Sequence, residues 1–193
     1  MTLCYASITV ELREVFLADK PAPMLTLSAK GTVPVLQLDT QILEESLDIM
    51  HWALQQADPE HWLRPELMVQ TQTLIEENDN SFKTQLDRYK YWDRYPAQTQ
   101  EYYRQQAEKF LMKLDGLLMA RPFLLADSAT LADVAIFPFI RQFAFVDKAW
   151  FDQSSYNNVQ QWLKYFLNSS LFMQSMEKCS PWQVGDNAKF FPA

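Results

Sequence analysis

The stretch from Lys30 to Trp52 constrains the fold more than any other part of this 193-residue chain. A short apolar run, V-P-V-L at Val33–Leu36, is followed by the polar sequence D-T-Q and then by a second apolar pair, Ile42–Leu43. Glu45–Ser46 then precede apolar residues that recur at helical spacing. This order predicts a strand, a turn, a second strand and a helix. The stretch therefore indicates a small α/β unit near the N-terminal end.

The start of the predicted helix has the features of a site for a carboxylate. Ser46 places a hydroxyl beside the first free backbone N–H groups, where the positive end of the helix dipole also lies. The Glu45–Ser46 pair alone is more typical of an ordinary helix start after a hairpin, so both interpretations stay open at this point.

Composition and charge exclude several classes of function. The chain has three glycines and neither a G-x-G-x-x-G sequence nor a P-loop, which excludes phosphate binding by those two devices. A formal net charge of −7 argues against a nucleic-acid-binding face. The two cysteines and two histidines lack the spacing of metal ligands, so we predict no metal site. We find neither a membrane-spanning run nor an N-terminal signal, and we expect a cytoplasmic protein with reduced thiols.

The hydrophobic periodicity changes along the chain. Ile8–Phe16 alternates between apolar and polar residues, which predicts a half-buried strand. From Arg64 onward the spacing is helical, and we predict an α/β domain over residues 1–57 followed by an all-helical domain over residues 64–193. The predicted helices of the second domain are a long one from Arg64 to Asp93, one from Pro96 to Arg121, a central one opened by Thr130, and two shorter ones at Asn157–Leu167 and Leu171–Lys178. We expect the tail from Ser180 to be irregular.

These patterns together resemble the glutathione S-transferase family. The V-P-V-L run followed by E-S resembles its glutathione-binding half, and the T-x-x-D box of Thr130–Asp133 resembles the start of its central helix. Four segments are similar to the bacterial omega-like branch in particular: Val10–Leu25, Glu44–Leu54, Ile75–Tyr95 and Phe139–Asp152. The resemblance implies a truncated thioredoxin-like domain followed by a helical C-terminal domain of the glutathione-transferase type.

The resemblance also implies a binding site for glutathione as co-substrate. Val33, before a cis proline, would pair its backbone with the cysteinyl part, and Glu45 with Ser46 would hold the γ-glutamyl end. Lys20 matches a lysine that approaches the glycine carboxylate, although a solvated loop lysine is an equal alternative. Lys30 is a second candidate for that role. The second substrate would be a small molecule, thiol or disulfide.

The likeness starts later than the family pattern does. Family members open with a strand, a loop carrying the reactive residue (a cysteine in the omega-like branch) and a first helix, whereas Met1 aligns inside that helix. We therefore expect a truncated or misassigned start, in preference to a rearranged first domain. The strand at Ile8–Phe16 would then lack a partner on its inner side. We interpret Cys4 and Cys179 as structural thiols and name no catalytic residue.

Two hypotheses about function follow from the resemblance. In the first, the protein is an omega-like glutathione transferase that performs thiol transfer or reduction, if an upstream segment supplies the nucleophile. The alternative is a non-catalytic glutathione-transferase-like binding or interaction module. The family's two-fold dimers imply a homodimer, which we expect to be weakened or heterogeneous because of the missing strand. We also expect the region through Ala29 to open more readily than the helical domain.

Overall fold

The computed structural model describes residues 1–192, and contacts within the chain divide it into two compact units. The first unit combines Met1–Glu60 with the chain from Ser170 onward, and the second spans His61–Ser169. The division expected from the sequence lies close to the first of these boundaries. The sequence did not predict that the chain returns to the first unit at Ser170.

Within residues 1–192 the chain forms ten α-helices and four short strands. In chain order they are α1 (Thr2–Tyr5), β1 (Val10–Glu11), α2 (Ala22–Leu27), β2 (Leu36–Gln37), β3 (Ile42–Leu43), α3 (Ser46–Gln56), α4 (Met68–Glu77), α5 (Lys83–Lys90), α6 (Gln100–Ala120), α7 (Leu131–Ala144), α8 (Lys148–Gln153), α9 (Asn157–Leu167), α10 (Ser170–Ser175) and β4 (Phe190–Phe191). A π-helical turn, Asn78–Phe82, joins α4 to α5.

The predicted strand–turn–strand–helix is confirmed in the first unit. Strands β2 and β3 pair antiparallel, with Leu36 opposite Leu43 and Gln37 opposite Ile42. Strand β2 includes only the last residue of the V-P-V-L run, because Pro34 in this run has no N–H group to donate to a ladder. Helix α3 begins at Ser46, where the sequence placed it.

Strand β1 has a partner that the sequence did not predict. It pairs antiparallel with β4 from the C-terminal tail, which sets Val10 opposite Phe191. The Leu12 N–H donates to the Lys189 carbonyl at 2.7 Å, and the Trp182 N–H donates to the Glu14 carbonyl at 2.8 Å. The tail expected to be irregular therefore supplies backbone partners to the first unit.

The second unit is built on the helical run α4–π turn–α5, which the sequence predicted as one long helix. Its buried face contains Leu74, Phe82, Leu86 and Tyr89, as the spacing indicated. The Phe82 ring lies 5.1 Å from that of Phe110 in α6 and 5.8 Å from that of Phe143 in α7, between ring centroids. The run therefore packs against both of the long helices that follow it.

Helix α6 begins later than predicted. The Thr99 hydroxyl accepts a hydrogen bond from the Tyr102 N–H at 3.1 Å and caps the helix, whose first residue is Gln100. Pro96 lies in the preceding loop, so the predicted start there is wrong. A threonine at the N-cap satisfies a free N–H group, which proline cannot do.

Helix α7 is the centre of the second unit, and Asp133 fixes its start. The capping box of Thr130 and Asp133 is present, as predicted. The fully buried Asp133 carboxylate accepts hydrogen bonds from the Leu124 and Thr130 N–H groups, the Thr130 hydroxyl and the Trp162 indole, at 2.8–2.9 Å. Burial raises the pKa of Asp133, while these hydrogen bonds act in the opposite direction. The Asp133 side chain thus connects the loop that precedes α7 with helix α9.

Candidate functional site

The β2–β3 hairpin joins the V-P-V-L run to the segment that leads into α3. Leu36, the last residue of the run, pairs with Leu43, and the chain then continues through Glu45 to Ser46, the first residue of α3. The Val33–Pro34 peptide bond is cis, which confirms that prediction. The Val33 side chain is 44% exposed, so the backbone beside it is reachable from solvent.

The N-terminus of α3 is open to an anion. Glu45 occupies the N-cap position with extended backbone, at φ −113° and ψ 138°, and makes no side-chain capping hydrogen bond. Ser46, the first helical residue, is exposed. The first-turn N–H groups of a helix have no intrahelical acceptor, so here they are available to a carboxylate together with the Ser46 hydroxyl. The exposed Asp48 in the same turn, together with Glu44 and Glu45, opposes the binding of an anion.

Lys30 lies between the two glutamates that precede α3. Its Nζ is 3.0 Å from Glu45 Oε1 and 3.9 Å from Glu44 Oε2. The hydrogen bond to Glu45 raises the pKa of Lys30. The buried Ser28 donates its hydroxyl hydrogen to Glu44 Oε1 at 2.5 Å. Glu45, the predicted ammonium ligand, is therefore paired with the exposed Lys30. An incoming ammonium group would have to compete with Lys30 for the Glu45 carboxylate.

Lys20 reaches the turn that carries Lys30. Gly31 in this turn is buried and has a φ of +60°, a conformation that favours glycine. A Cβ added to Gly31 would lie 3.2 Å from Leu25 Cδ2 and 3.9 Å from Lys20 Cδ. The aliphatic part of Lys20 thus passes along the turn, and within residues 1–192 its ammonium forms no ion pair. The observed contacts of Lys20 do not include Val33, Glu45 or Ser46.

The two cysteines have different surroundings. Cys4 is half-buried, and its Sγ lies 3.8 Å from Ser175 Oγ of α10. Cys179 is also half-buried, and a hydrogen bond to this thiol raises the pKa of the Lys189 ammonium. Sequence reasoning missed this neighbour, because the pairing depends on a tail fold that no local pattern indicated.

Within residues 1–192, no three His, Cys, Asp or Glu side chains gather closely enough to hold a metal ion. None of the described helices combines the length and the apolar character that crossing a bilayer requires.

Comparison with known families identifies both parts of the chain. Residues 1–61 match the family model "Glutathione S-transferase, N-terminal domain", and residues 73–164 match "Glutathione S-transferase, C-terminal domain". No curated protein matches the chain.

Solved structures with the same fold include several transferases. BphK, a bacterial glutathione S-transferase solved as a ternary complex, is 24% identical over 91% of this chain and 90% of its own, with a TM-score of 0.75. The glutathione S-transferase from Xylella fastidiosa is 16% identical over 91% and 89%, with a TM-score of 0.74. Glutathione S-transferase-I bound to lactoylglutathione is 19% identical over 90% and 88%, with a TM-score of 0.73. At these identities the likeness concerns the fold.

Proposed function

Because this chain belongs to the glutathione S-transferase family, we propose that it binds glutathione at the α3 cradle, defined as Lys20, Val33, Glu45 and Ser46. The observation that carries the proposal is the β2–β3 hairpin, which pairs the end of the V-P-V-L run with the segment that leads into the uncapped start of α3. In the proposed site, a backbone edge, a free helix N-terminus and an exposed carboxylate act together. These groups match an amide, a carboxylate and an ammonium on one ligand.

Each group of glutathione has a matching partner in the α3 cradle. The γ-glutamyl carboxylate binds the first N–H groups of α3 and the Ser46 hydroxyl, while its ammonium binds Glu45. The cysteinyl amide pairs with the backbone of Val33. The glycine carboxylate binds Lys20, because Lys30 is already paired with Glu45 and Lys20 forms no ion pair within the described chain.

We place the reaction in thiol transfer of the omega-like type. In that chemistry a cysteine thiolate attacks a mixed disulfide and releases one thiol, and glutathione then attacks the new disulfide and restores the cysteine. The four segments similar to the omega-like branch support this assignment. Reduced thiols and glutathione as co-substrate fit a cytoplasmic protein.

The test is reduction of a glutathione mixed disulfide by the purified chain and by its Cys4→Ser and Cys179→Ser variants. We expect saturable glutathione binding in calorimetry for all three proteins, because neither cysteine belongs to the α3 cradle. Absence of binding would contradict the proposed site. Binding without turnover would favour the alternative function, a non-catalytic binding module. Turnover that Cys179→Ser abolishes would assign the nucleophile to this chain and contradict our interpretation of Cys179 as structural.

We also propose a homodimer as the assembly. A two-fold interface uses the same surface of both subunits, so any looseness of the first unit affects it twice. Sedimentation velocity across a range of protein concentrations tests this proposal. A concentration-dependent mixture of monomer and dimer is expected, and a monomer at every concentration would contradict it.

A further inference from the structure

A second polar site lies in the second unit, apart from the residues of the α3 cradle. It is a cavity of about 510 Å³ lined by Arg64, Ala120, Arg121, Ala126, Asp127 and Ser128. Three segments meet there: the chain before α4, the end of α6 and the loop that leads to α7. The sequence contains no motif that predicts this meeting, because the segments are far apart along the chain.

The walls of this cavity are held in place by buried hydrogen bonds. The Leu124 N–H donates to the buried Asp133 carboxylate, which fixes the loop that carries Asp127 and Ser128. The Leu131 N–H donates to the Trp62 carbonyl at 2.9 Å, which ties the chain before Arg64 to the start of α7. Binding at a cavity with fixed walls requires little ordering of the protein, which lowers the entropic cost.

The two arginines of the cavity are hydrogen-bonded to neutral acceptors. Arg64 donates from Nη2 to the Ser128 hydroxyl and from Nε to the His61 carbonyl, and Arg121 donates from Nη1 to the Leu125 carbonyl at 2.7 Å. Neither guanidinium forms an ion pair within residues 1–192. A guanidinium has five N–H donors, so donors of both groups remain for a ligand.

The charge at this cavity differs in sign from that of the chain. Arg64 and Arg121 contribute two positive charges and Asp127 one negative charge, whereas the whole chain carries a formal net charge of −7. The planar fork of an arginine matches the oxygen atoms of a phosphate or carboxylate and can bind them with two parallel hydrogen bonds. Two such forks beside the Ser128 hydroxyl favour a tetrahedral oxyanion.

We propose that this cavity binds a phosphate-like dianion, either as the free ion or as the phosphate group of a larger molecule. Both guanidinium groups contact the oxyanion, and the Ser128 hydroxyl adds a third donor. Asp127 opposes the negative charge and is placed to accept a hydrogen bond from a hydroxyl of an attached organic group. The residues that line this cavity and those of the α3 cradle do not overlap.

The experiment is calorimetric titration of the full chain with inorganic phosphate and, separately, with phenyl phosphate. The variants are Arg64→Gln and Arg121→Gln, and the matched control is Arg94→Gln, which removes the same charge from an exposed 3-10 turn before α6. Each titration is repeated in the presence of saturating glutathione. Circular dichroism of every variant checks that the fold is retained, and a double variant to lysine, which keeps the charge, separates charge from fork geometry.

The expected result is saturable binding of at least one probe that each cavity variant weakens by about tenfold or more, while the control keeps the parent affinity. Glutathione leaves this binding unchanged. Stronger binding of phenyl phosphate assigns the site to a phosphate monoester, and equal binding assigns it to the free ion. Equal weakening by all three glutamine variants, competition by glutathione, or the absence of saturable binding would each overturn the proposal.

Discussion

The two units of this protein are stabilised in different ways. In the second unit, long helices bury a continuous apolar core, and Ile136, Phe137 and Ile140 of α7 have no exposed surface. In the first unit, the buried hydrophobic side chains among the described residues are Ala6, Ile49, Ala53 and Leu54. The first unit instead depends on short strand pairings and on polar contacts such as those of Lys30.

The difference separates the source of stability from the candidate site of function. Apolar burial contributes roughly 25 cal/mol per Å², so most of the stabilisation lies in the second unit. The residues of the α3 cradle are exposed or half-buried in the first unit. Binding segments are commonly drawn from the less stable parts of a protein, since a ligand has to reach them. This comparison leads to three predictions, given in order of expected effect.

Replacing Asp133 with alanine is expected to have the largest effect, and to fall on the second unit. The change leaves four buried donors without their acceptor. Each unsatisfied donor lowers the stability of the folded state by roughly 1–3 kcal/mol before the structure relaxes around it. We expect the free energy of unfolding to fall by about 3–5 kcal/mol. Urea denaturation followed by tryptophan fluorescence and circular dichroism measures it.

The matched control for this variant is Asp152→Ala. Asp152 is an exposed carboxylate that pairs with Lys148 one turn away in α8. Exposed pairs of this kind contribute about 0.5 kcal/mol. If Asp133→Ala destabilised the protein no more than this control does, the central role given to the Asp133 network would be wrong.

Removing the tail from residue 177 onward is expected to have a smaller effect, confined to the first unit. The deletion takes away the backbone partners of β1, including the Lys189 carbonyl that accepts from the Leu12 N–H. Loss of one such bond corresponds to roughly 1 kcal/mol. Hydrogen exchange at the Leu12 amide should accelerate by about fivefold or more.

The intact chain supplies an internal reference for this measurement. The Leu131 amide, which donates to the Trp62 carbonyl in the second unit, should exchange more slowly than Leu12 in the parent and be unaffected by the deletion. Unchanged exchange at Leu12 after the deletion would show that the tail does not stabilise β1. Equal rates at Leu12 and Leu131 in the parent would contradict the difference between the units.

The smallest expected effect concerns the two thiols of the first unit. Cys4 lies half-buried against Ser175 of α10, whereas the contact of the Cys179 thiol with the Glu177 carbonyl is exposed, so iodoacetamide should alkylate Cys179 faster than Cys4. Mass spectrometry of timed samples gives both rates, and equal rates would argue against this difference in access.

The sequence predicted best the elements whose causes are local. The apolar spacing of α9 predicted Asn157–Leu167, the bounds that the structure has, and the Thr130–Asp133 box marked the start of α7. Helical periodicity and capping depend on residues three and four positions apart, so a single sequence displays them. The hairpin and the start of α3 were predictable for the same reason.

What sequence reasoning missed depends on contacts between distant segments. The pairing of β1 with β4 joins the two ends of the first unit. The alternation at Ile8–Phe16 predicted a strand at β1 but not its partner, and the two residues of β4 are too few to show a periodicity. The cavity of Arg64 and Arg121 likewise forms from segments that meet only in the folded chain. The error in the predicted start of α6 was local. Thr99 can serve as an N-cap residue, but the prediction began the helix at Pro96.

The measurement that tests the central claim most directly is calorimetry of glutathione binding to the parent, Ser46→Ala and Glu45→Gln. The claim is that the start of α3 holds the γ-glutamyl end of glutathione. Ser46→Ala removes one hydrogen bond to a charged group and should weaken binding by about 1.5–3 kcal/mol. Glu45→Gln should also weaken it, through loss of the ammonium contact, while the exposed control Arg94→Gln should bind as the parent does. Parent-like affinity in both cradle variants would show that Glu45 and Ser46 only begin a helix, and would contradict the account.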